Sequence, residues 1–257
     1  MDELEKKLRC CFAEHGFDIP LIFFEVAGST NDEAKKYAAT HSEEAVFIAK
    51  RQTSGRGRLG RSFDSEAGGL YFSYLHYPKA SADDAVMLTV YAAVCLCLAI
   101  EELIPSAKPT IKWVNDIRIG NGKLAGILAE GAFSPSSDRF AYAVTGIGVN
   151  LFSREYPEQI RGIATDIESE YGVRLPIEKL AVELYKRLSG FNEARKDEYL
   201  EEYRRRSCVI GKRVTVISAD STYEALATGI NDKGELCVRL DSGEERCLFT
   251  GEVGIKV

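Results

Sequence analysis

The sequence predicts an α+β fold: a mixed, largely antiparallel sheet with helices, followed by a small C-terminal β-barrel. Two observations carry this. After one long apolar helix, strand-like segments follow one another between 111 and 151 with no helix between them, unlike the alternation of a βαβ chain. After Arg204-Arg205-Arg206 the pattern changes to short strands divided by polar turns, the spacing of a small all-β unit. The division is expected near 207, giving a large domain over 1–206 and a small one over 207–257.

From the N-terminus, leucines 4 and 8 among charges predict a short surface helix ending near Gly16. Leu21–Val26 reads as a strand, and Gly28-Ser-Thr-Asn31 turns the chain into a helix, with Thr30 and Glu33 at capping-box spacing. Ala45–Ala49 and Leu70–Leu75 read as strands. The run from Ala82 to Ile104 is apolar on nearly all sides and stops before Pro105, so it reads as a core helix lying across the sheet. Its apolar part is too short, and too closely flanked by acids, to span a bilayer. Ile111–Ile119, the Gly-Asn-Gly turn at 120–122 and Lys123–Glu130 predict a hairpin of two long strands, with Phe140–Leu151 beside it. Helical signals run from Glu155 to Tyr171 and again from Pro176 to about Arg206, where leucines 180, 184 and 188 give a buried stripe. Five short strands then run from Lys212 to Val257. Cys237 and Cys247 lie symmetrically about the Asp241-Ser-Gly243 turn, so a regular hairpin sets them opposite each other, as reduced thiols filling the barrel.

Composition narrows the function. The chain has 257 residues, 39 acids against 33 bases and a net charge of −6, which argues against a general nucleic-acid binder. Seven cysteines without a C-x-x-C, and only three histidines, argue against a zinc site. The odd cysteine count with no signal peptide suggests reduced thiols in a cytoplasm.

Against that acidic background, Arg51-Gln-Thr-Ser-Gly-Arg-Gly-Arg-Leu-Gly-Arg61 sets four arginines and three glycines into eleven residues. Glycines let backbone N–H groups approach a ligand, and arginines present forked donors that suit phosphate or carboxylate oxygens, so the stretch reads as an anion-cradling loop. It formally fits a dinucleotide fingerprint and approaches a Walker loop. Both motifs must open a helix, and here a strand follows.

Five stretches, in order, carry a resemblance: Ser29-Thr-Asn31, Gln52 with Gly55-Arg-Gly-Arg-Leu-Gly-Arg61, Lys112-Trp-Val-Asn-Asp116, Lys123-Leu-Ala-Gly-Ile-Leu128 and Gly146-Ile-Gly-Val-Asn150. With them the chain resembles the biotin protein ligases over nearly its whole length. The resemblance implies a class II synthetase-like catalytic domain, an SH3-like terminal barrel, and an enzyme that makes biotinyl-5′-AMP from biotin and ATP and passes biotin to a lysine of a biotin carboxyl carrier protein. About twenty residues precede the first strand, too few for the DNA-binding domain of the family's larger members, so the short, ligase-only form without DNA binding is expected. Leu59 stands where a further arginine is frequent, Phe63 where tryptophan is common and Val114 where proline is frequent.

By the same resemblance Ser29, Thr30, Asn31, Gln52, Gly55, Arg56 and Gly126 hold biotin, and Arg58 and Lys123 neutralise the carboxylate–phosphate region as catalytic cations. Arg61, Asn115, Asp116, Gly146 and Asn150 serve the nucleotide, Asn150 at the adenine edge, and Gly146 and Gly148 let the ligand lie flat on their strand. Magnesium would arrive with ATP, Asp116 being the candidate metal contact. Each residue has a plainer reading: Ser29 and Thr30 as helix caps, Asp116 as a surface carboxylate near a turn, Lys123 as an exposed turn lysine, the glycines as close sheet–helix packing, Trp113 as core. The chemistry fits the resemblance, because a carboxylate ionised at neutral pH needs no general base to attack the α-phosphorus. Such a site needs cations and N–H groups, not histidine.

Two other readings stay open on the residues alone. A lipoate or octanoate ligase shares the fold and a catalytic lysine, and an RNA-binding module would use the arginines without explaining the motifs at 112, 123 and 146. Monomer and homodimer are both open. The arginine loop, with no carboxylate near it in sequence, is expected to be mobile until a ligand supplies counter-charge.

Overall fold

A computed structural model describes residues 1–79, 81, 85–134, 137–190, 195–218 and 221–255. Seven strands form one sheet: β1 Leu21–Ala27, β2 Ala45–Gln52, β3 Gly69–His76, β4 Thr110–Lys112, β5 Asp116–Ile119, β6 Gly122–Phe133 and β7 Phe140–Asn150, in the order β1-β2-β3-β7-β6-β5-β4. Only β1 and β2 are parallel; every other neighbour pair is antiparallel. The mixed, largely antiparallel sheet is thus present.

Alternation along the strands sends successive side chains to opposite faces. On β2 and β3, Val46, Ile48, Leu70 and Phe72 join the core built on α3 (Ala85–Leu103). Ala45, Phe47 and Leu75 face the other way, toward Ala34 and Tyr37 of α2 (Thr30–Ala38). Helix α3 lies between the strands β5–β7 and the helices α5 (Ile177–Ser189) and α6 (Lys196–Arg206), which explains its all-round apolar character. It is the helix long and apolar enough to cross a membrane, yet it is mostly buried inside the protein. Residues 82–84 of the expected helix lie outside the described residues.

Four expectations change. Ile111–Ile119 is not one strand: the chain reverses at 113–115, β4 pairs antiparallel with β5, and Tyr203 OH caps the turn at Val114 O, 2.8 Å away. Both halves are apolar and no glycine or proline marks the reversal, so the periodicity runs through it unbroken. Over Glu155–Tyr171 only α4, Ile167–Tyr171, is helical, because residues 163–165 instead bond the backbone of Lys123 (Lys123 N to Ile163 O 2.6 Å, Thr165 N to Lys123 O 2.9 Å). The single helix expected from Pro176 to Arg206 is two, α5 and α6, with Gly190 ending the first; residues 191–194 lie outside the described residues. The Leu180, Leu184 and Leu188 stripe is buried as expected. Ser29, not Thr30, sits at the cap of α2, and its side chain makes no capping bond. The N-terminal helix, α1, spans Glu3–Glu14.

Beyond α6, β8 Arg213–Ile217, β9 Thr222–Ile230, β10 Leu236–Arg239, β11 Glu245–Leu248 and β12 Glu252–Ile255 form an antiparallel sheet in the order β11-β10-β9-β8-β12 around Val214, Val216, Ala227, Leu236, Val238 and Val253. Residues 256 and 257 of the last expected strand lie outside the described residues. Cys208 N still bonds Ile111 O of β4 at 2.9 Å, and we propose the domain division at about 207, where the chain leaves the first sheet. Cys237 and Cys247 are opposite each other, as expected, but on the outer face: Cys237 is half-buried and Cys247 exposed, while Leu236 and Val238 point inward. The strand alternation that buries Leu236 and Val238 turns the cysteines out.

One half-buried group sets a pH dependence. Burial pushes the His76 imidazole at the end of β3 down to about 4. Its Nε2 lies 3.1 Å from Thr145 Oγ1. An unfolded histidine titrates near ~6.5, so as pH falls from there toward about 4 the unfolded chain takes a proton that the folded one refuses, and stability drops. His76→Asn should remove on the order of 1–2 kcal/mol of that acid sensitivity, the half-buried ring keeping some contact with water. Urea midpoints at pH 7 and pH 4.5 check this; equal shifts in both proteins would mean the ring is not held neutral.

Candidate active site

The same alternation that faces Ala45 and Leu75 toward α2 puts Ser73 of β3, Gly126 and Leu128 of β6, and Gly146 and Gly148 of β7 on that face. Over them closes the loop after β2, and together they bound a cleft of about 920 Å³, its open mouth included. Ser29, Thr30, Asn31, Gln52, Arg56, Arg58, Arg61, Asn115, Asp116, Lys123, Gly126 and Gly146, twelve of the expected residues, line it.

One end is a buried hydrogen-bond chain. Thr30 N and Oγ1 both donate to Gln52 Oε1 (2.8 and 3.1 Å), and Gln52 Nε2 donates to Ser65 Oγ (3.0 Å). Ser73 Oγ lies 2.7 Å from Thr30 Oγ1 and 2.6 Å from Asn31 Oδ1, and its single proton serves one of them at a time. Asn31 Nδ2 donates to Leu128 O and to Glu130 Oε2 (3.1 and 2.8 Å). Lys35 and Arg56 also bond Glu130; burial opposes its ionisation, but the bonds from Lys35 and Asn31 prevail and hold the carboxyl below its ordinary range. Ser29 and Thr30 are therefore not helix-capping side chains.

The other end is cationic. Lys123 Nζ, 6.0 Å from the centre of the Phe63 ring, pairs with Asp116 Oδ1 at 2.7 Å. Asp116 is thus a cleft carboxylate with a partner, and Lys123, with both backbone polar groups bonded to 163–165, is held rigidly. Asn115 ties the 113–115 turn to β6, its Nδ2 donating to Ile127 O at 2.9 Å. Trp113 is buried at the cleft wall and donates to Gly234 O at 3.0 Å, joining core and site.

The loop itself overturns an expectation. It doubles back through Phe63 N to Gly55 O (2.9 Å) and Gly57 N to Arg61 O (2.7 Å), with Leu59 and Gly60 at φ 55° and 75°. Two of its three inner arginines have carboxylate partners, while Arg58 is held by neutral acceptors only. Arg56 pairs with Asp32 at 2.5 Å and Glu130 at 3.1 Å, Arg61 with Glu252, and Arg58 donates to Thr250 Oγ1 and Gly251 O (3.3 and 3.4 Å). Burial draws the Arg58 guanidinium below its ordinary value, though an arginine stays charged at neutral pH.

Four expected residues sit differently from their expected roles. Gly55 is buried away from the cleft, where a Cβ would meet Ser65 Oγ at 2.2 Å, so the loop's own crossing needs the glycine. Asn150 lines a smaller adjoining cleft of about 440 Å³ with Arg154 and Tyr156, and its Nδ2 bonds Thr165 O at 3.0 Å. That cleft shares Ser62, Phe63 and Lys123 with the first. The open strand surface expected at Gly146 and Gly148 is occupied: Asn31 packs on the first and the Phe63 ring on the second, where a Cβ would meet them at 2.1 and 2.5 Å. Sequence reasoning missed Ser73, Glu130 and Glu252. The only signal for Ser73 was a lone serine in an apolar strand; the two glutamates carried none.

The family model described as the biotin/lipoate A/B protein ligase family matches residues 23–150, and that of the biotin protein ligase C-terminal domain matches 209–253. The biotin–[acetyl-CoA-carboxylase] ligase of Mycobacterium tuberculosis is 32% identical over 225 residues, covering 82% of this chain and 80% of its own. The chain belongs to the biotin protein ligase family. A second such ligase, from Paracoccus denitrificans, is 30% identical and covers 84% of this chain and 93% of its own. A biotin protein ligase of Aquifex aeolicus, solved in complex with biotin and ATP, superposes with a TM-score of 0.78 at 28% identity over 92% of this ligase and 98% of that one.

Proposed function

We infer that the ligase joins biotin and ATP as biotinyl-5′-AMP in this cleft and transfers the biotinyl group to a lysine of a biotin carboxyl carrier protein. The observation that carries this is the polarity of the cleft: a neutral hydrogen-bonding end at Thr30 and Gln52, and a cationic end at Lys123, Arg58 and Arg61. Biotin has that shape, a neutral ureido head and an ionised carboxylate at the other end of an apolar chain. Ser29, Thr30, Asn31 and Gln52 would hold the head, Arg56 would close over it, and Gly126 would leave room for the chain.

The biotin carboxylate attacks the α-phosphorus of ATP, a carboxyl C–O–P linkage forms, and pyrophosphate leaves. Two anions must meet, so positioning and neutralisation supply the rate. Lys123 and Arg58 would face the reacting oxygens, Arg61 the leaving phosphates, and Asn115 would shape the floor. The adenine would extend into the adjoining cleft, with Asn150 at its edge, Gly146 staying beneath the biotin-side chain of bonds. In transfer, the carrier's amine attacks the carbonyl as the free base and AMP departs.

Magnesium would enter bound to the ATP phosphates. Among the described residues no three acids, histidines or cysteines form a metal cluster, and Asp116, which lines the cleft as Glu252 does, would be the contact to an ion held mainly by phosphate and water.

The test is pyrophosphate release with ATP and either biotin or lipoate. Release with biotin alone is the expected result, followed by label transfer to a carrier domain; release with lipoate alone would overturn the reading.

A further inference from the structure

Cys237 and Cys247 remain unexplained by the ligase chemistry, and of the seven cysteines they are the pair, among the described residues, with sulfurs in contact. Their Sγ atoms are 3.2 Å apart. Leu240 N donates to Glu244 O at 2.9 Å, which marks 240/244 as a hydrogen-bonded pair of the β10–β11 hairpin. With no irregularity in this register, alternation makes 238/246 hydrogen-bonded too and leaves 237/247 a non-hydrogen-bonded pair. Such pairs bring Cα atoms to about 4.5 Å, inside the range a disulfide spans. A pair that merely filled space would lie inward with Leu236 and Val238. This one faces out, and Cys247 is exposed on the edge strand of the sheet.

The position has a consequence for the cleft. Three to five residues after Cys247, Thr250 and Gly251 accept from Arg58 and Glu252 pairs with Arg61. The hairpin thus leads directly into the clasp on the arginine loop. We propose that Cys237 and Cys247 form a reversible disulfide that tightens this clasp. The proposal is independent of which substrate the cleft takes.

A small organic disulfide, RSSR, suffices as oxidant. The exposed Cys247 thiolate attacks one of its sulfurs and releases RS⁻, giving a mixed disulfide; the Cys237 thiolate then attacks the Cys247 sulfur and expels the second RS⁻. The protons shed by the two cysteines are taken up by the two RSH products, and the two electrons lost by the cysteines reduce RSSR. Burial and the adjacent Cys247 thiol push Cys237 up to about 11, so the exposed Cys247 makes the first attack and Cys237 follows through proximity.

The experiment treats the full-length protein with oxidised glutathione, counts thiols, maps the bridge by peptide mass, and follows trypsin cleavage after Arg58 and Arg61. Trypsin must take the arginine side chain into its own pocket, so each cut requires the clasp to open. The expected result is a fall from seven thiols to five, a 237–247 bridged peptide, and cleavage slowed at least threefold, all reversed by dithiothreitol and absent in C237S/C247S. Seven thiols retained, a bridge between other cysteines or between molecules, or a 237–247 bridge with cleavage unchanged would each overturn the proposal.

Discussion

Lys123→Ala should fold and lose adenylation: kcat/KM for biotin-dependent pyrophosphate release should fall about 10²- to 10³-fold, on the order of 3–4 kcal/mol of transition-state stabilisation. The backbone of Lys123 is pinned through its N–H and its carbonyl by the 163–165 segment, neither bond involving the side chain, so alanine leaves the strand in place. The side chain is two-thirds shielded from solvent, and its ammonium is already paired at 2.7 Å with Asp116. Removing it withdraws a preorganised cation and leaves an uncompensated carboxylate where a triphosphate must enter, so the two losses act in the same direction. A shift of a few degrees in thermal midpoint alongside the large rate loss is the expected pattern. Activity within fivefold of the parent would remove Lys123 from the reaction.

Gly146→Ala should cost about 2–4 kcal/mol of stability and raise the KM for biotin at least tenfold, combining overpacking with lost hydrogen bonds. An alanine Cβ would stand 2.1 Å from Asn31 Oδ1 and 2.8 Å from its Nδ2. A flexible side chain could swing aside, but this amide is bonded to Leu128 O, Glu130 and Ser73. Moving it opens the chain that continues through Ser73 to Thr30 and Gln52. Gly28→Ala is the control, since no atom lies within 4 Å of its added Cβ. Urea midpoints and biotin KM values that match between the two variants would refute the crowding argument.

Much of the site was legible because its residues cluster in short motifs. Thr30, Gln52, Asp116 and Lys123 lie in four separate motifs of the chain, and the structure brings all four to one cleft. The misreadings share a cause. Thr30 has capping-box spacing, but its hydroxyl is claimed by Gln52, twenty-two residues on. Glu155–Tyr171 has a helical composition, but part of its backbone is claimed by Lys123. In both cases a long-range partner outcompeted a local preference worth about 1 kcal/mol.

The sequence alone determined the elements whose signals lie within a few residues of one another: the apolar core helix, the antiparallel run that follows it, the short strands of the C-terminal sheet and the glycine–arginine loop. Periodicity and turn chemistry are set by chain neighbours, and they survive in the fold because burial of the same apolar faces rewards them. Only the tertiary structure decided what neutralises the loop arginines, since Asp32, Glu130 and Glu252 lie 24, 74 and 191 residues from the arginines they hold. A charge's partner is whichever opposite charge the packed strands carry within about 4 Å of it, and that distance is a property of the assembled sheets rather than of any stretch of chain.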